Sequence, residues 1–517
     1  MSTPKNPSNN QTQDLFAATA ADGLMPEAVI FETANHETSS SDVPSTLTSI
    51  DLPADKMTPI EMRATVSLAA IYGLRMFGMF SILPIFAIYA SNNFLPKPNA
   101  LEIGLALGAY GLTQALFQLP FGMASDKFGR KPMIYLGLAI FAIGSMVAAL
   151  AMTIDGVILG RAIQGAGAVS AAVTALLADL TRDENRTKAM ATIGGTIGMA
   201  FAVSLVIGPL LNKWLGVPYI FAMTAFLSLA AIAVMKFVVP EPVHSHYHSD
   251  ASAAPAKLKD VLKNKQLLRL NYGIFALHAA QMAMFVVVPF ALVKASGMSE
   301  NDHWMIYLPV LIASFVFMVP AIIYAEKKAK MKQVFVGAIA TMFIAQLMFS
   351  ASIQLFWGIV LSLTLYFIAF NVLEASLPSI ISKIAPAAAK GTAIGVYNTS
   401  QSLGVFVGGA VGGYLSHKID FASVFIFCSI MMLLWLVLAY SMQAPPAVKT
   451  KMYGLDEDAP ELAPEVAEAL KAKLLEIAGV IEAVVLPQER TVILKIDKSQ
   501  HGDETQLQSQ VHQLLRG

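Results

Sequence analysis

Long apolar blocks separated by short polar knots fill the chain between residues 64 and 442. A helix needs about 20 mostly apolar residues to cross a bilayer core of roughly 30 Å. Blocks of that kind fall at 64–90, 101–121, 133–153, 156–179, 190–211, 217–238, 268–293, 304–325, 333–352, 355–378, 391–415 and 422–442. The pattern predicts an all-α membrane protein with twelve transmembrane helices. Gly and Pro interrupt several blocks, which membrane helices tolerate when neighbours satisfy the freed backbone groups.

The flanks read differently. Residues 1–56 are rich in Ser, Thr, Asn, Asp and Pro and have no sustained apolar period, as in a disordered tail. They lack the basic start and apolar core of a secretory signal peptide. Beyond 442, PEVAEALKAKLLEIAGV (464–480) has a helical period. VIEAVVLP (480–487) and RTVILKID (490–497) alternate like a β-hairpin, and DETQLQSQVHQLL (503–515) is helical again. With a first strand near 450–455 the order is (β)αββα, similar to a small α+β ferredoxin-like domain without a clear last strand. The expected organisation is a cytoplasmic tail (1–56), a six-helix bundle (57–238), a linker loop (239–266), a second six-helix bundle (267–442), and a linker with the small domain (443–517).

Composition agrees with a membrane chain. Only 14% of residues are charged, against about 25% in soluble domains. A net charge of zero gives no signal for nucleic acid. The single cysteine, Cys428, excludes a disulfide framework and a cysteine-ligated zinc site. HSHYH (244–248) has no acidic or cysteine cluster beside it and reads as an exposed linker, so no metal or cofactor is expected. Lys and Arg alternate from side to side. One side holds Lys127, Arg130, Lys131, Arg182, Arg186, Lys188, Lys257, Lys259, Lys263, Lys265, Lys327, Lys328, Lys330, Lys332, Lys383 and Lys390. The other has little beyond Lys97, Lys213, Lys294 and Lys418. Basic loops mark the cytoplasmic face, which places both termini there.

The two halves echo each other. Met-Phe-x-x-x-Pro occurs at 79–84 and again at 284–289. GMASDKFGRKP (122–132), between the second and third spans, has a weaker counterpart in which Glu326, Lys327 and Lys330 stand where Asp126, Lys127 and Arg130 do. Gly122 allows close helix approach, Gly129 allows a tight turn, and Asp126 and Arg130 are spaced for contact at a helix end. As an acid, Asp126 contributes little to orientation and so asks for another role, whereas Lys127 and Lys131 read as topology charges.

Charges inside spans are costly and point to function. Arg75, Arg161 and the mid-span acid Glu374 are candidates to line a cavity, with Glu374 the carrier for a proton. The two arginines have an alternative role, bonding backbone carbonyls. His278 and Gln281 lie one turn apart in ALHAAQMAM, and Asn371, Asn398 and Gln401 are further polar positions. No nucleophile triad, paired-carboxylate cleft or phosphate loop is visible, so no enzyme is expected.

GMASDKFGRKP resembles the major facilitator signature Gly-x-x-x-Asp-(Arg/Lys)-x-Gly-Arg-(Arg/Lys), and GRAIQGAGA (160–168) resembles that superfamily's Arg-x-x-Gln-Gly-x-Gly-Ala motif, which brings in Gln164. GLRMFGMFSILP (73–84), ENRTKAMATIGG (184–195) and LPSIISKIAPAAAKGTAIGVYNTSQSLG (377–404) are similar to the YajR-like group of proton-driven transporters with a small domain after helix 12. The resemblance implies two six-helix bundles rocking around a central cavity in the major facilitator fold. It also implies that the loop after helix 2 latches them in the outward-open state. Asp126 would face the amino end of helix 11 near 391–395, and Arg130 would pair with Asp179. The helix 5 antiporter pattern is only partly kept: Gly208 and Pro209 stand, Ser204 replaces the first Gly, and Asn212-Lys213 end it.

The expected function is a monomeric, proton-coupled exporter of small amphipathic or drug-like solutes in a bacterial inner membrane. Its partners would be substrate, protons and lipid. A nutrient symporter, or a non-transporting sensor signalling through the C-terminal domain, are the alternatives.

Overall fold

In the computed structural model, the described residues are 56–242, 255–386 apart from 329, 389–444, 448–454, 463–487, 491–497, 510, 511 and 514. The expected tail up to residue 55, HSHYH and most of 503–515 lie outside them. Residues 510, 511 and 514 are helical.

The first half holds α1 (Pro59–Phe80), α2 (Phe86–Asn93), α3 (Ala100–Phe128), α4 (Arg130–Leu150), α5 (Ile154–Ala166), α6 (Ser170–Asp179), α7 (Asp183–Trp214) and α8 (Val217–Phe237). A short α9 (Pro255–Lys263) precedes the second half: α10 (Lys265–Ser296), α11 (Trp304–Lys327), α12 (Met331–Ser352), α13 (Phe356–Ile384), α14 (Lys390–Lys418) and α15 (Phe421–Tyr440). Local chemistry starts several of these helices. Thr58 with Glu61, and Asn99 with Glu102, form reciprocal caps for α1 and α3. The Asn264 side chain accepts from the amides of Gln266 and Leu267 at the start of α10.

Ten stretches among the described residues are helical, long and apolar enough to cross a membrane, α5 and α6 counting as one. α1 and α14 are not among them. α1 carries Glu61, Arg63 and Arg75, and α14 is rich in Gly, Ser and Thr. Three expectations need correcting. The block 64–90 is not one helix, because turns at 81–85 separate α1 from α2. The block 156–179 is broken at 167–169, where two glycines in GAGA lie near the end of α5. The linker loop 239–266 contains α9, whose Val261 is buried.

α14 is the central helix, packed between α3 and α10. Its glycines make this possible. A Cβ on Gly409 would strike the Gly104 carbonyl, and one on Gly408 would strike that of Ala279. A side chain at either position would force the backbones apart. α10 lies deep in the core, buried along most of its length.

After α15 come β1 (Val448–Gly454), α16 (Pro464–Leu475), β2 (Val480–Leu486) and β3 (Thr491–Asp497), in a three-stranded antiparallel sheet of order β1-β3-β2. The register runs from Val448 opposite Asp497 to Gly454 opposite Thr491, and β2 has an irregularity between Val480 and Glu482. Tyr453, Leu474, Ala483, Val492, Leu494 and Ile496 form its core.

Candidate functional site

At the basic end of the first half, α3 stops at Phe128 because Gly129 adopts φ +96°, a region that disfavours side chains. α4 then starts at Arg130, so Asp126 and Arg130 meet across a helix break rather than along one helix. Arg130 bonds Asp126, donates to Ser125 Oγ at 3.0 Å, and approaches Asp179 Oδ2 at 3.4 Å. One guanidinium thus serves two carboxylates from different helices, a charge-assisted arrangement suited to holding a fixed geometry. Gly122 faces Ala171 on α6. Asp126 is ion-paired with Arg130.

Lys131 is more than a topology charge. It is buried, with Nζ 2.9 Å from the Val239 carbonyl and 2.7 Å from Glu241 Oε1. Arg63 Nε donates to the Val238 carbonyl at 2.8 Å. Both cations satisfy carbonyls just beyond α8, where a helix leaves acceptors unpaired and its dipole favours positive charge. Lys127 stays exposed, 5.5 Å above the Phe128 ring. The buried carboxylate of Glu61 accepts from Arg182 Nε at 3.0 Å and Asn185 Nδ2 at 3.2 Å, tying α1 to α7.

Arg75 and Arg161 sit inside the first half, fully buried. Arg75 donates to Tyr110 Oη at 3.0 Å and to the Gly167 carbonyl at 3.1 Å, and lies 4.8 Å from the Phe141 ring. The Gly167 carbonyl sits where α5 and α6 part, so the guanidinium repairs the break. Arg161 donates to Gln164 Oε1 at 2.9 Å and to the Leu107 carbonyl at 3.3 Å, and lies 5.1 Å from the Tyr110 ring. Gln164 in turn donates to Ser145 Oγ at 2.7 Å. Among the described residues no carboxylate pairs with either arginine. Carbonyls and ring faces stand in for one. Both arginines thus make the backbone bonds that the alternative role names.

In the second half, three of the expected residues converge. His278 Nδ1 is 3.2 Å from the Ile274 carbonyl, and its Nε2 is 2.7 Å from Gln401 Nε2 and 4.0 Å from Glu374 Oε2. A carbonyl only accepts, so Nδ1 carries the hydrogen and Nε2 accepts from the Gln401 amide. Glu374 Oε2 is sealed from solvent without a hydrogen-bond partner. Phe370 packs 6.0 Å from the His278 ring and 5.7 Å from Phe201 of α7, which meets Phe80 at 5.1 Å. An aromatic bridge thus joins this cluster to the first half. Asn371 is elsewhere, donating to Ser314 Oγ at 2.8 Å. Gln281 is buried on α10 and Asn398 is half-buried on α14; neither joins the trio through a hydrogen bond.

The halves are tied at the end opposite the basic loops. Residues 100–111 of α3 meet 402–413 of α14 backbone to backbone. Asn212 donates to Asn301 Oδ1 at 2.7 Å, and Lys213 lies 3.6 Å from Asp302. Gly208 packs on the Ser81 carbonyl in the turn after α1, and Ser204 donates to the Phe77 carbonyl at 3.0 Å. Pro209, next in the chain, leaves the Leu205 carbonyl without its helical donor. Ser204 and Asn212-Lys213, which depart from the antiporter pattern, therefore have defined partners. Sequence reasoning missed Tyr110, Ser145, Phe201, Phe370 and the Asn301-Asp302 turn. Each looks like ordinary core or loop, and only the distance across helices reveals it.

A family model described as Major Facilitator Superfamily matches residues 68–409 and 332–475. The chain is 44% identical over 444 residues to the inner membrane transport protein YajR of Escherichia coli K12, covering 86% of this chain and 96% of that one. It is 27% identical over 253 residues to the class G tetracycline resistance protein of Vibrio anguillarum, covering 48% and 60%. The fold is similar to the human organic anion transporter MFSD10, with a TM-score of 0.56, 17% identity and coverage of 74% and 100%. For a variant of the nucleoside transporter NupG the TM-score is 0.58, identity 16% and coverage 73% and 99%.

Proposed function

Because the chain belongs to the Major Facilitator Superfamily, a family of transporters and not of enzymes, we propose that it is a proton-coupled secondary transporter working by alternating access. Adding α1–α2 and α14 to the ten apolar stretches gives twelve spans, six in each half. The basic loops face the cytoplasm. The β1-α16-β2-β3 order, with β3 between β1 and β2, supports a ferredoxin-like C-terminal domain.

The observation that carries this reading is the trio His278, Gln401 and Glu374, an acid and a base from three helices set beside the aromatic bridge. A proton placed on His278 Nε2 displaces the Gln401 donor and creates a cation for Glu374 to pair. A proton placed on Glu374 removes the anion instead. A cationic or amphipathic solute competes with the proton for the same carboxylate, and that competition couples the two flows. With the far end tied through Asn212 and Asn301 and Asp126 paired to Arg130, the arrangement corresponds to the cytoplasm-open state. In the opposite state, Asp126 moves to the amino end of α14 and the Asn212–Asn301 tie breaks. Export fits the tetracycline resistance relative, although the altered helix 5 pattern gives it no further support.

Proteoliposomes with an imposed pH gradient test the proposal. Solute leaving against the proton flow supports an exporter. Solute moving with the protons means a nutrient symporter. No gradient-dependent flux across a broad panel of amphipathic solutes leaves the sensor reading.

A further inference from the structure

We infer that the C-terminal domain is a spacer that holds the two halves apart at the basic end, pinned to the second half by Lys495. Its sheet touches both halves: β1 lies against α7 and also against α13. Lys495, on the central strand β3, is buried with Nζ 2.8 Å from the Ala385 carbonyl and 2.7 Å from Glu482 Oε2. Ala385 caps α13 and is fully buried. The next residue, Pro386, offers no N–H, and its carbonyl accepts from the Ala389 amide at 3.0 Å. A lysine ammonium with two acceptors is an effective pin, since removing it leaves the buried Ala385 carbonyl without that donor.

The pinned connection is mechanically placed. Eleven residues before it on α13 is Glu374, about 16 Å away along a helix rising 1.5 Å per residue. Just after it begins α14, whose first turn is the proposed seat of Asp126. While the domain holds Ala385 and rests on α7, that first turn cannot approach the first half without the domain sliding or letting go. A cavity of about 230 Å³ lies along the seam, lined by Gln266, Lys383, Gln443, Ile481, Glu482 and Lys495.

This inference rests on the rocking of two halves proposed above, but its test needs no substrate. Spin labels on cysteines replacing Phe128 and Glu326, both exposed at the basic ends of α3 and α11, report the separation of the halves in the full chain carrying Cys428→Ser. Two variants loosen the domain. Lys495→Met removes the pin. Ile481→Glu alters an exposed residue on the seam and leaves the domain core intact. Lys495→Met should enlarge the short-distance population by roughly tenfold, as loss of a charged hydrogen bond implies, and Ile481→Glu should enlarge it too. Distances unchanged in both variants overturn the inference. A shift in Lys495→Met alone also overturns it, since the cause would then be the folding of the domain rather than its docking. Gradient-driven flux that persists alongside unchanged distances leaves the transport reading standing while the spacer falls.

Discussion

The smallest changes separate the roles of individual side chains. Asp126→Asn keeps the shape but not the charge, and Arg130 retains Asp179 at 3.4 Å. Folding should therefore survive, while turnover falls roughly tenfold through the lost charge-assisted contact. A thermal melt and an initial-rate measurement on the same preparation check both halves of that statement, and unchanged turnover removes the latch. Glu374→Gln should abolish the dependence of flux on a pH gradient yet leave downhill solute exchange in place. Exchange that still follows the gradient would sink the trio as the coupling site. Arg161→Lys exchanges a planar fork for a point charge that cannot reach Gln164 and the Leu107 carbonyl together. Its expected cost is about 1.5–3 kcal/mol of stability, read as a lowered unfolding midpoint in detergent.

Helices carry the next layer of meaning. α14 works as a thin slat: one glycine face meets α10 and another meets α3. Gly409→Leu should jam the far end open, because the new Cβ has the Gly104 carbonyl in its way. Overpacking of this kind costs about 1–3 kcal/mol, enough to shift a two-state population by roughly tenfold. A thiol placed by Asn301→Cys would then react faster from the side opposite the basic loops, and an unaltered rate would show that the helices separate elsewhere. α5 and α6 illustrate a different economy. At their break the Gly167 carbonyl accepts from both the Val169 amide and Arg75, so the buried cation finds an acceptor where the helix is interrupted.

For the whole molecule, the asymmetry between halves matters more than their repeat. The first-half knot is an ion-paired junction of α3, α4 and α6. Its counterpart in the second half leaves Glu326 and Lys327 exposed at the end of α11. The first half holds buried arginines, whereas the second holds the acid and the histidine. In the proposed mechanism, rocking between such halves would move charge relative to fixed charge, and a proton gradient would bias it in that way.

Much of this was legible in the residues. Block lengths located most of the membrane helices, because an apolar core of fixed thickness imposes a fixed run length. Alternation found β2 and β3, and two motifs carried the family. Glu374 stood out because an acid in an apolar run is expensive wherever it points. What the linear pattern left open were matters of distance. It could not tell that Arg75 answers a carbonyl 92 positions away, that His278 meets Gln401 across 123, or that Lys495 reaches Ala385 across 110. Periodicity reports which face of a helix is apolar, but the partner of a polar atom is set by how whole helices pack, and that exists only in the folded chain.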